Sequence, residues 1–346
     1  MLASITFLPR KALSAKDYAM ILGMPGTGKS TTIVFLIRLL LALNKTVLLT
    51  AYTHSAVDNI LLKLLAQSEP SEHSEHSAVA EKLLRLGSLE QVAPPLRGLT
   101  LAAFQAGQDA SRRDWAPLRP VRPLVATSCL GISHPLFSKR TFDYCIVDEA
   151  SQVTLPVCVG PLRFCDVFVL VGDHYQLPPL VRSLPAQEGG MTQSLFRLLS
   201  ETHPHAVVNL SQQYRMNQEI LLLCNTLVYH NQLRCATPEV ALQRLVIPHP
   251  GRVPRPSTSS KTASASHWLQ DAIDPGKPVI FLDTHMVPAY SSRGGGGVSN
   301  AVEAAIVAQI ANTLVECGVS GERIGVISPY RAQLKVCCKR SNGGPQ

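Results

Sequence analysis

The chain has 346 residues, of which 46% are hydrophobic and 16% are charged, and its formal net charge is +8 at pH 7. This composition can bury a core and excludes a wholly disordered chain, and the length suggests about two domains of roughly 100–200 residues each. The apolar run 33–43 is interrupted by Arg38 and is shorter than the ~20 residues that span a bilayer, so it predicts a buried helix and no membrane partner.

The nine cysteines form no C-x-x-C pair. Cys337 and Cys338 are adjacent, a spacing that suits neither a disulfide framework nor a zinc site. Several of the others stand singly in apolar runs. We therefore expect reduced, buried thiols of an intracellular protein.

The first motif lies between a predicted strand at residues 18–22 and an apolar helical stretch. Residues 23–30, GMPGTGKS, match G-x-x-x-x-G-K-[ST]. In this context the glycines allow backbone N–H groups to surround phosphates, and the helix adds its positive N-terminal end. Lys29 can reach the β- and γ-phosphates, and the Ser30 hydroxyl can bind Mg²⁺.

Four further apolar runs predict buried strands, at residues 46–51, 125–128, 144–147 and 167–171. Such runs, separated by long helical segments, indicate a parallel sheet covered on both faces. The sequence therefore predicts an α/β fold of the P-loop NTPase type. The pattern weakens at about 67–124, where the polar tract SEPSEHSEHS at 68–77 indicates an insertion with a solvated loop.

Two adjacent carboxylates, Asp148 and Glu149, end the apolar run that begins at residue 142. In an NTPase, the first can hold Mg²⁺ through water and the second can orient or deprotonate the attacking water. A capped helix start would explain one carboxylate at this place, but it does not readily explain two.

Two later motifs also carry polar groups. Gly172, Asp173 and Gln176 follow a strand at the edge where ligands bind in α/β sheets, which predicts a sensor of the γ-phosphate. Arg215, in the string QQYRM, is a candidate arginine finger. The residues alone leave two alternatives open for Arg215: an arginine finger or an ordinary surface arginine.

The second half of the chain contains a Pro/Ser-rich stretch at about 236–277, which we interpret as an insertion. After it, residues 278–282 and 323–328 predict strands, and residues 301–315 predict an amphipathic helix between them. These elements predict a second α/β unit. The run 112–140 contains six basic residues and one acidic residue, which favours a polyanionic partner.

Seven strings follow one another along the chain: GMPGTGKS, YTHSAVDNILLKL, VATSCLGISHPLF, CIVDEASQ, VGDHYQLPPLV, QQYRMN and IGVISPYRAQLK. Together they resemble the superfamily 1 helicases of the Upf-like group, and within that group the helicase region of the eukaryotic DNA replication helicase/nucleases. The resemblance covers residues 17–235 and 278–336. It implies two RecA-like parallel-sheet lobes, residues 17–200 and 201–346, of which the second is incomplete.

The resemblance implies roles for individual residues. Nucleotide would be bound by Gly23, Pro25, Gly26, Thr27, Gly28, Lys29, Ser30, Thr31 and Tyr214. The catalytic residues would be Lys29, Asp148, Glu149, Gln176 and Arg215. Mg²⁺ would be held by Ser30 and Asp148. DNA would be contacted by Thr53, His54, Ser55, Thr127, Ser128, Tyr330, Arg331 and Gln333.

The resemblance further implies an ATP-dependent DNA helicase that uses ATP and Mg²⁺, moves 5′ to 3′ and is stimulated by single-stranded DNA. Its substrates would be single-stranded or flapped DNA in replication and repair, and its partners a single-strand-binding protein and other replication factors. The expected location is the nucleus, with mitochondria as a second location.

No string of this chain resembles the nuclease core, its iron–sulfur cysteines or the last two helicase motifs. We therefore expect the iron–sulfur cluster only in a nuclease region outside this chain, and we expect the chain alone to bind ATP but hydrolyse it poorly. Two alternatives stay open: an RNA helicase of the same group, and a nucleotide- and strand-binding protein without turnover. A P-loop kinase or a transporter ATPase leaves QYRM and the strand-contacting strings unexplained.

Overall fold

The computed structural model describes residues 10–67, 75–106, 122–253, 263–287, 291–294 and 297–341. The chain divides into two compact units. The first comprises Met1–Met216 and Cys224–Thr237, and the second comprises Asn217–Leu223 and Pro238–Gln346.

A seven-stranded parallel sheet forms the centre of the first unit. Its strands in chain order are β1 (Tyr18–Gly23), β2 (Val47–Ala51), β3 (Leu83–Arg85), β4 (Leu124–Ser128), β5 (Phe142–Asp148), β6 (Cys165–Gly172) and β7 (Val207–Leu210). Their spatial order is β3-β4-β2-β5-β6-β1-β7. Every strand predicted in this unit is present, and the α/β fold class is confirmed.

Helices connect these strands. They are α1 (Lys29–Ala42), α2 (His54–Ala66), α3 (Glu75–Lys82), α4 (Leu101–Ala106), α5 (Leu155–Leu162), α6 (Leu184–Glu188) and α7 (Leu195–Thr202). Short 3₁₀ turns of this unit lie at Pro94–Leu99, Cys129–Ser133, Pro135–Lys139, Ala150–Gln152 and Pro204–Ala206. The predicted buried helix at 33–43 is confirmed by α1.

The core lies on both faces of the sheet because successive strand residues point in opposite directions. Ile21 and Leu49 pack in one cluster with the apolar sides of α1 and α2. Their neighbours Met20 and Leu48 are fully buried on the other face. This is why the strands are continuous apolar runs rather than alternating ones. Fully burying one such side chain contributes ~1.5–3 kcal/mol.

The register of the ladders aligns the carboxyl ends of the strands at one edge. Ala51 at the end of β2 lies opposite both Ser128 and Asp148. Leu22 near the end of β1 lies opposite Gly172 at the end of β6. The loops that follow these strands therefore meet at the same edge, where α/β sheets bind ligands.

Two strands of the sheet were not predicted from the sequence. Strand β3 lies inside the expected insertion, and β7 lies beyond residue 200, where the first lobe was expected to end. Both are edge strands of three or four residues, pairing with β4 and β1 respectively. Strands this short have too few residues to show a period.

A short strand pair completes the first unit: β8 (Gln212–Gln213) and β9 (Arg234–Cys235). The helix α8 (Gln218–Leu227) begins in the second unit and ends in the first. The rest of the second unit contains α9 (Pro238–Ala241), α10 (Ala263–Ala272), β10 (Ser291–Gly294), β11 (Gly297–Asn300), α11 (Ala301–Glu316) and α12 (Arg331–Ser341), with 3₁₀ turns at Pro250–Arg252 and Gly321–Arg323.

Helix α11 confirms the amphipathic helix predicted at 301–315. The Asn300 side chain caps it by accepting bonds from the N–H groups of Val302 and Glu303 at 3.0 and 3.1 Å. The antiparallel hairpin β10–β11 leads directly into this cap.

The strands predicted at 278–282 and 323–328 are wrong, since the structure forms no strand at either run. A strand needs a neighbour to accept and donate ladder hydrogen bonds. Within the described residues neither run has such a neighbour, and Phe281 and Ile327 are 88% and 97% exposed.

All nine cysteines lie in described residues and are free thiols. Five of them are buried: Cys129, Cys145, Cys158, Cys317 and Cys337. Across the described ranges, no helix is both long and apolar enough to cross a bilayer.

Candidate nucleotide-binding site

The loop between β1 and α1 is shaped to hold a phosphate. Gly26 and Gly28 have positive φ angles of 73° and 86°, a left-handed conformation that glycine adopts without a Cβ penalty. The Thr27 hydroxyl donates to the carbonyl of Met24 at 2.7 Å and stabilises the turn. Since α1 begins at Lys29, its first free N–H groups open towards this loop.

Lys29 extends across the backbone of Gly23. A Cβ atom at Gly23 would lie 2.0 Å from Lys29 Cγ, so no larger residue fits there without moving the lysine. The Lys29 Nζ atom lies 3.7 Å from Glu149 Oε1. The P-loop lysine and one of the two predicted carboxylates therefore face each other at the carboxyl edge of the sheet.

Asp148 is a buried carboxylate with one unsatisfied oxygen. It is 6% exposed, and its Oδ1 atom has no hydrogen-bond partner among the described residues. Burial, followed by the neighbouring charge of Glu149, raises the pKa of Asp148 to about 6. A cation at this oxygen would offset both effects.

These residues fit the Mg²⁺ that the fold family uses. Mg²⁺ prefers oxygen ligands, and in nucleotide sites it is held by one or two protein groups together with substrate phosphates. The unsatisfied oxygen of Asp148 and the hydroxyl of Ser30, which lines the adjoining pocket, are such groups. In the described ranges, no cluster of three or more His, Cys, Asp or Glu residues is placed to hold a metal.

Gln176 follows β6 and is held by a buried acid. Its Nε2 atom donates to Asp173 Oδ2 at 2.6 Å. Asp173 is 1% exposed, whereas the Gln176 side chain lies at the surface and lines the pocket.

Arg215 is carried by a loop that is bonded to the P-loop. The backbone N–H of Tyr214 donates to the carbonyl of Gly26 at 2.9 Å. Gln213 is fully buried, and its Oε1 atom accepts from the N–H groups of Arg215 and Met216 at 2.8 and 2.7 Å. Sequence alone placed this loop in the second lobe, but it belongs to the same compact unit as the P-loop.

A cavity of about 550 Å³ joins these elements. It is lined by Met24, Pro25, Gly26, Thr27, Gly28, Lys29, Ser30, Lys63, Glu149, Gln176, Tyr214 and Arg215. All of these residues belong to the first unit. The arrangement can hold a phosphate chain with lysine, carboxylate, amide and arginine groups around its end.

Two residues of this site that lie outside the P-loop string were not identified from the sequence. Lys63 lies in the last turn of α2, and its Nζ atom donates to Thr31 Oγ1 at 2.6 Å. No spacing rule marks a helix lysine 34 positions after the P-loop lysine, so only the fold could reveal it. Gln213 stands within the string QQYRM, which drew attention to Arg215 instead.

The expected DNA-contacting residues of the first unit lie at two neighbouring strand ends. Thr53, His54 and Ser55 follow β2 at the start of α2, where Thr53 Oγ1 accepts from the N–H of Ala56 at 3.2 Å. Thr127 and Ser128 end β4 and are only 1% and 5% exposed. The first group therefore offers surface to a strand, and the second offers little.

A buried ion pair supports this end of α2. Arg85 Nε donates to Asp58 Oδ1 at 2.7 Å, and the two side chains are 0% and 5% exposed. A second guanidinium nitrogen of Arg85 lies 3.2 Å from His54 Nδ1. Burial and the charge of Arg85 lower the pKa of His54, so the imidazole is neutral near pH 7.

Part of the basic run lies outside the described residues, at 112–121. Two of its other arginines bond to backbone within the first unit. Arg122 donates to the carbonyls of Ala80 and Leu83 at 2.8 Å, and Arg140 donates to the carbonyl of Arg122 at 2.5 Å. These two guanidinium groups therefore stabilise the backbone of the first unit and do not project into solvent as a basic surface.

The expected DNA-contacting residues of the second unit lie around the start of α12. Tyr330 is 51% exposed, and Arg331 is also exposed. Gln333 is 9% exposed, and its amide both accepts from the N–H of Asn300 at 2.7 Å and donates to the carbonyl of Asn300 at 3.1 Å. In this structure, Gln333 connects α12 to the cap of α11.

The chain matches known families along most of its length. A family model described as an AAA domain matches residues 3–119 and 121–184, and a second model with that description matches residues 191–343. Among curated proteins, the chain is 44% identical over 328 residues to "DNA replication ATP-dependent helicase/nuclease DNA2" of Xenopus laevis and 44% identical over 330 residues to the protein of that name of Homo sapiens.

Each of these two matches covers 94% of this chain and 30% of the relative. The protein named "DNA replication ATP-dependent helicase/nuclease JHS1" of Arabidopsis thaliana is 45% identical over 94% of this chain and 22% of the relative. The chain thus spans less than a third of these relatives. Among solved structures, Pif1 helicase from Candida albicans is 21% identical over 64% of this chain and 43% of that chain, with a TM-score of 0.35, too low to support any inference.

Four features occur together in a unit that the AAA-domain models match: the P-loop, the paired carboxylates, the glutamine after β6 and the arginine loop. The chain belongs to the AAA-domain family of superfamily 1 helicases in the Upf-like group, and 94% of it is similar to part of the DNA replication ATP-dependent helicase/nucleases.

Proposed function

We propose that this chain is the ATP-hydrolysing motor of a DNA helicase/nuclease that moves 5′ to 3′ on single-stranded DNA and acts on flaps and DNA ends. The observation that supports this most directly is the cavity in which the P-loop meets Glu149, Gln176 and Arg215. A phosphate-binding loop alone would serve binding, whereas a carboxylate and an arginine beside it serve transfer of the terminal phosphoryl group.

In this proposal each group acts on a different part of the nucleotide. Lys29 and the N–H groups of the P-loop neutralise the β- and γ-phosphates, and Arg215 stabilises charge on the transferred group. Glu149 orients the attacking water and accepts its proton. Ser30 and Asp148 would hold Mg²⁺, which would neutralise phosphate charge when bound. Tyr214, 38% exposed at the cavity, would stack on the adenine.

Single-stranded DNA would bind where β2 enters α2. Thr53 and Ser55 present hydroxyl groups, and the start of the helix adds N–H groups, all of which bind phosphate without reading sequence. Tyr330 and Arg331 would contact DNA from the second unit. Of the predicted set, Thr127, Ser128 and Gln333 would have to become more exposed to take part.

For the whole protein, we propose single-stranded and flapped DNA as substrates and a single-strand-binding protein with replication and repair factors as partners. We propose the nucleus as its location, with mitochondria as a second location. We further propose that the first unit is a RecA-like ATPase lobe and that the second contributes to another RecA-like lobe. Any iron–sulfur cluster would belong to a nuclease region outside this chain.

The test is ATP hydrolysis by the purified chain with and without single-stranded DNA, compared with RNA of the same sequence. We expect stimulation by DNA, weak stimulation by RNA, and binding that weakens steeply with salt because phosphate contacts release counterions. Lys29→Ala should abolish hydrolysis, whereas Lys82→Ala, an exposed lysine directly before β3, should not change it. Hydrolysis by Lys29→Ala within a few-fold of the parent would contradict the site, and equal stimulation by RNA would favour an RNA helicase.

A further inference from the structure

Three donors converge on one buried carboxylate behind the nucleotide cavity. Asp173 Oδ1 accepts from the N–H of Tyr175 at 3.1 Å. Asp173 Oδ2 accepts from Gln176 Nε2 at 2.6 Å and from the Tyr229 hydroxyl at 3.0 Å. The Gln176 amide, which belongs to a residue that lines the cavity, and the Tyr229 hydroxyl therefore donate to the same oxygen atom.

Tyr229 reaches this carboxylate from a distant part of the sequence. It lies 56 positions after Asp173, just past the end of α8, in the segment 224–237 that belongs to the first unit. Its side chain is 3% exposed and packs edge-on against the Tyr175 ring, with centroids 5.9 Å apart. A buried ring in this setting is a rigid anchor for its hydroxyl group.

The Tyr229 hydroxyl acts as the donor in this bond. Burial, followed by the charge of Asp173, raises the pKa of Tyr229, although the Gln176 amide acts in the opposite direction. The phenol therefore stays protonated at neutral pH, and its proton faces the carboxylate oxygen. Hydrogen bonds of this kind, with a charged acceptor, are the stronger ones.

Gln176 needs such support because its own side chain is exposed. An exposed glutamine has several rotamers, and fixing one of them costs up to ~2 kcal/mol of conformational entropy. The Gln176 amide is held by its bond to Asp173 Oδ2, at 2.6 Å, and by its interaction with the Tyr229 hydroxyl. The orientation of the Gln176 amide thus depends on the orientation of the Asp173 carboxylate, which Tyr229 and the Tyr175 N–H fix.

We propose that Tyr229 is a positioning residue for γ-phosphate recognition, acting through Asp173 to hold the Gln176 amide towards the terminal phosphate. This inference rests on the proposed function, in which Gln176 senses that phosphate. Tyr229 is not one of the described residues that line the cavity. It therefore acts on the nucleotide only through its neighbours.

The experiment compares the affinity of the full chain for a non-hydrolysable ATP analogue and for ADP, each with Mg²⁺, by isothermal titration calorimetry. Tyr229→Phe removes the hydroxyl and keeps the ring. We expect it to reduce the preference for the triphosphate by about 3–10-fold, the effect of one hydrogen bond, with ADP affinity unchanged. Tyr144→Phe is the matched control, since Tyr144 is 7% exposed and lies towards the amino end of β5, away from the cavity.

A double-variant comparison separates positioning from general loosening. In the Gln176→Ala background, Tyr229→Phe should have no further effect on the preference, because the amide that it orients is gone. A loosened fold would instead weaken the binding of both nucleotides, with or without Gln176. Thermal unfolding of all variants would show such a loss of stability directly. Either that result or an additive effect of the two substitutions overturns the inference.

Failure of the proposed function gives a different result. If the parent chain binds neither nucleotide, or if Lys29→Ala binds ATP as well as the parent, the nucleotide site itself is wrong. If the parent prefers the triphosphate and Gln176→Ala removes that preference while Tyr229→Phe keeps it, only the role of Tyr229 is wrong.

Discussion

The backbone N–H of Tyr214 donates to the carbonyl of Gly26 at 2.9 Å, which joins the segment that carries Arg215 to the loop that carries Lys29. The packing is close, since a Cβ atom at Gly26 would lie 2.7 Å from Arg215 Cβ. The candidate arginine finger is therefore held beside the phosphate site by main-chain contacts within one compact unit.

Gly23→Ala should impair nucleotide binding without unfolding the protein. The new methyl group would overlap Lys29 Cγ, 2.0 Å away, and displace the lysine from its path towards the phosphates. We expect ATP affinity to fall by about tenfold or more, the size of effect that losing one charged hydrogen bond produces. Gly98→Ala is the control, because no atom lies within 4 Å of a Cβ there. Equal ATP titrations for parent and Gly23→Ala would disprove this role of Gly23.

Glu149→Gln should keep Mg²⁺-ATP binding and lose turnover. The substitution preserves shape and removes the charge that, in the proposed function, orients and deprotonates water, and groups that do so contribute ~10²–10⁴-fold to rate. The measurement is hydrolysis per bound ATP under single-turnover conditions, with affinity measured separately. Reduced affinity combined with a normal rate per bound ATP would assign Glu149 to binding instead.

Arg85→Met should strongly destabilise the first unit. It leaves Asp58, whose side chain is 5% exposed, as a buried charge without its partner, and breaking such a pair costs ~3–5 kcal/mol. The matched control is Arg197→Met, which breaks the exposed pair with Glu201 and should cost less than ~1 kcal/mol. Urea unfolding measures the free energy of unfolding of both variants.

The double variant Asp58→Leu, Arg85→Met should regain most of the stability that Arg85→Met loses, because it removes both charges together. A double variant that is no more stable than Arg85→Met would mean that the ion pair is not the cause of the loss.

Asp143 should contribute stability that disappears in acid. Burial acts to raise its pKa, but hydrogen bonds from the N–H and hydroxyl of Thr46, at 2.8 and 2.7 Å, and from Lys45 at 3.0 Å lower the pKa of Asp143 overall. The folded protein therefore binds the proton of the Asp143 carboxyl group less tightly than the unfolded chain does. The stabilisation is full above the unfolded pKa of ~3.9 and is lost as the pH falls through the lower folded pKa.

Asp143→Asn should therefore lower the free energy of unfolding by about 1 kcal/mol at pH 7, and the difference from the parent should shrink as the pH falls below ~4. Chemical unfolding at pH 7, 5 and 3 measures this, with the exposed Asp166→Asn as the control. A difference that is constant across this range would show that the charge of Asp143 is not what stabilises the fold.

The sequence by itself determined the local features of the first unit. The apolar runs predicted its central strands because a strand covered on both faces must be apolar throughout, and the P-loop string specified a strand, a turn with left-handed glycines and a helix. Asp148 and Glu149 could be proposed as site residues because their types and their place after a strand suit Mg²⁺ binding and water activation.

Only the tertiary structure decided which distant residues share the site. Lys63 and Tyr229 have no local signal, since each donates to a side chain far away in the sequence, Thr31 and Asp173 respectively. It also decided that the apolar runs 278–282 and 323–328 form no strands, because a strand depends on a partner and not on its own composition. Likewise, β7 joins the sheet of the first unit because it pairs with β1. No sequence pattern within residues 207–210 predicts that pairing.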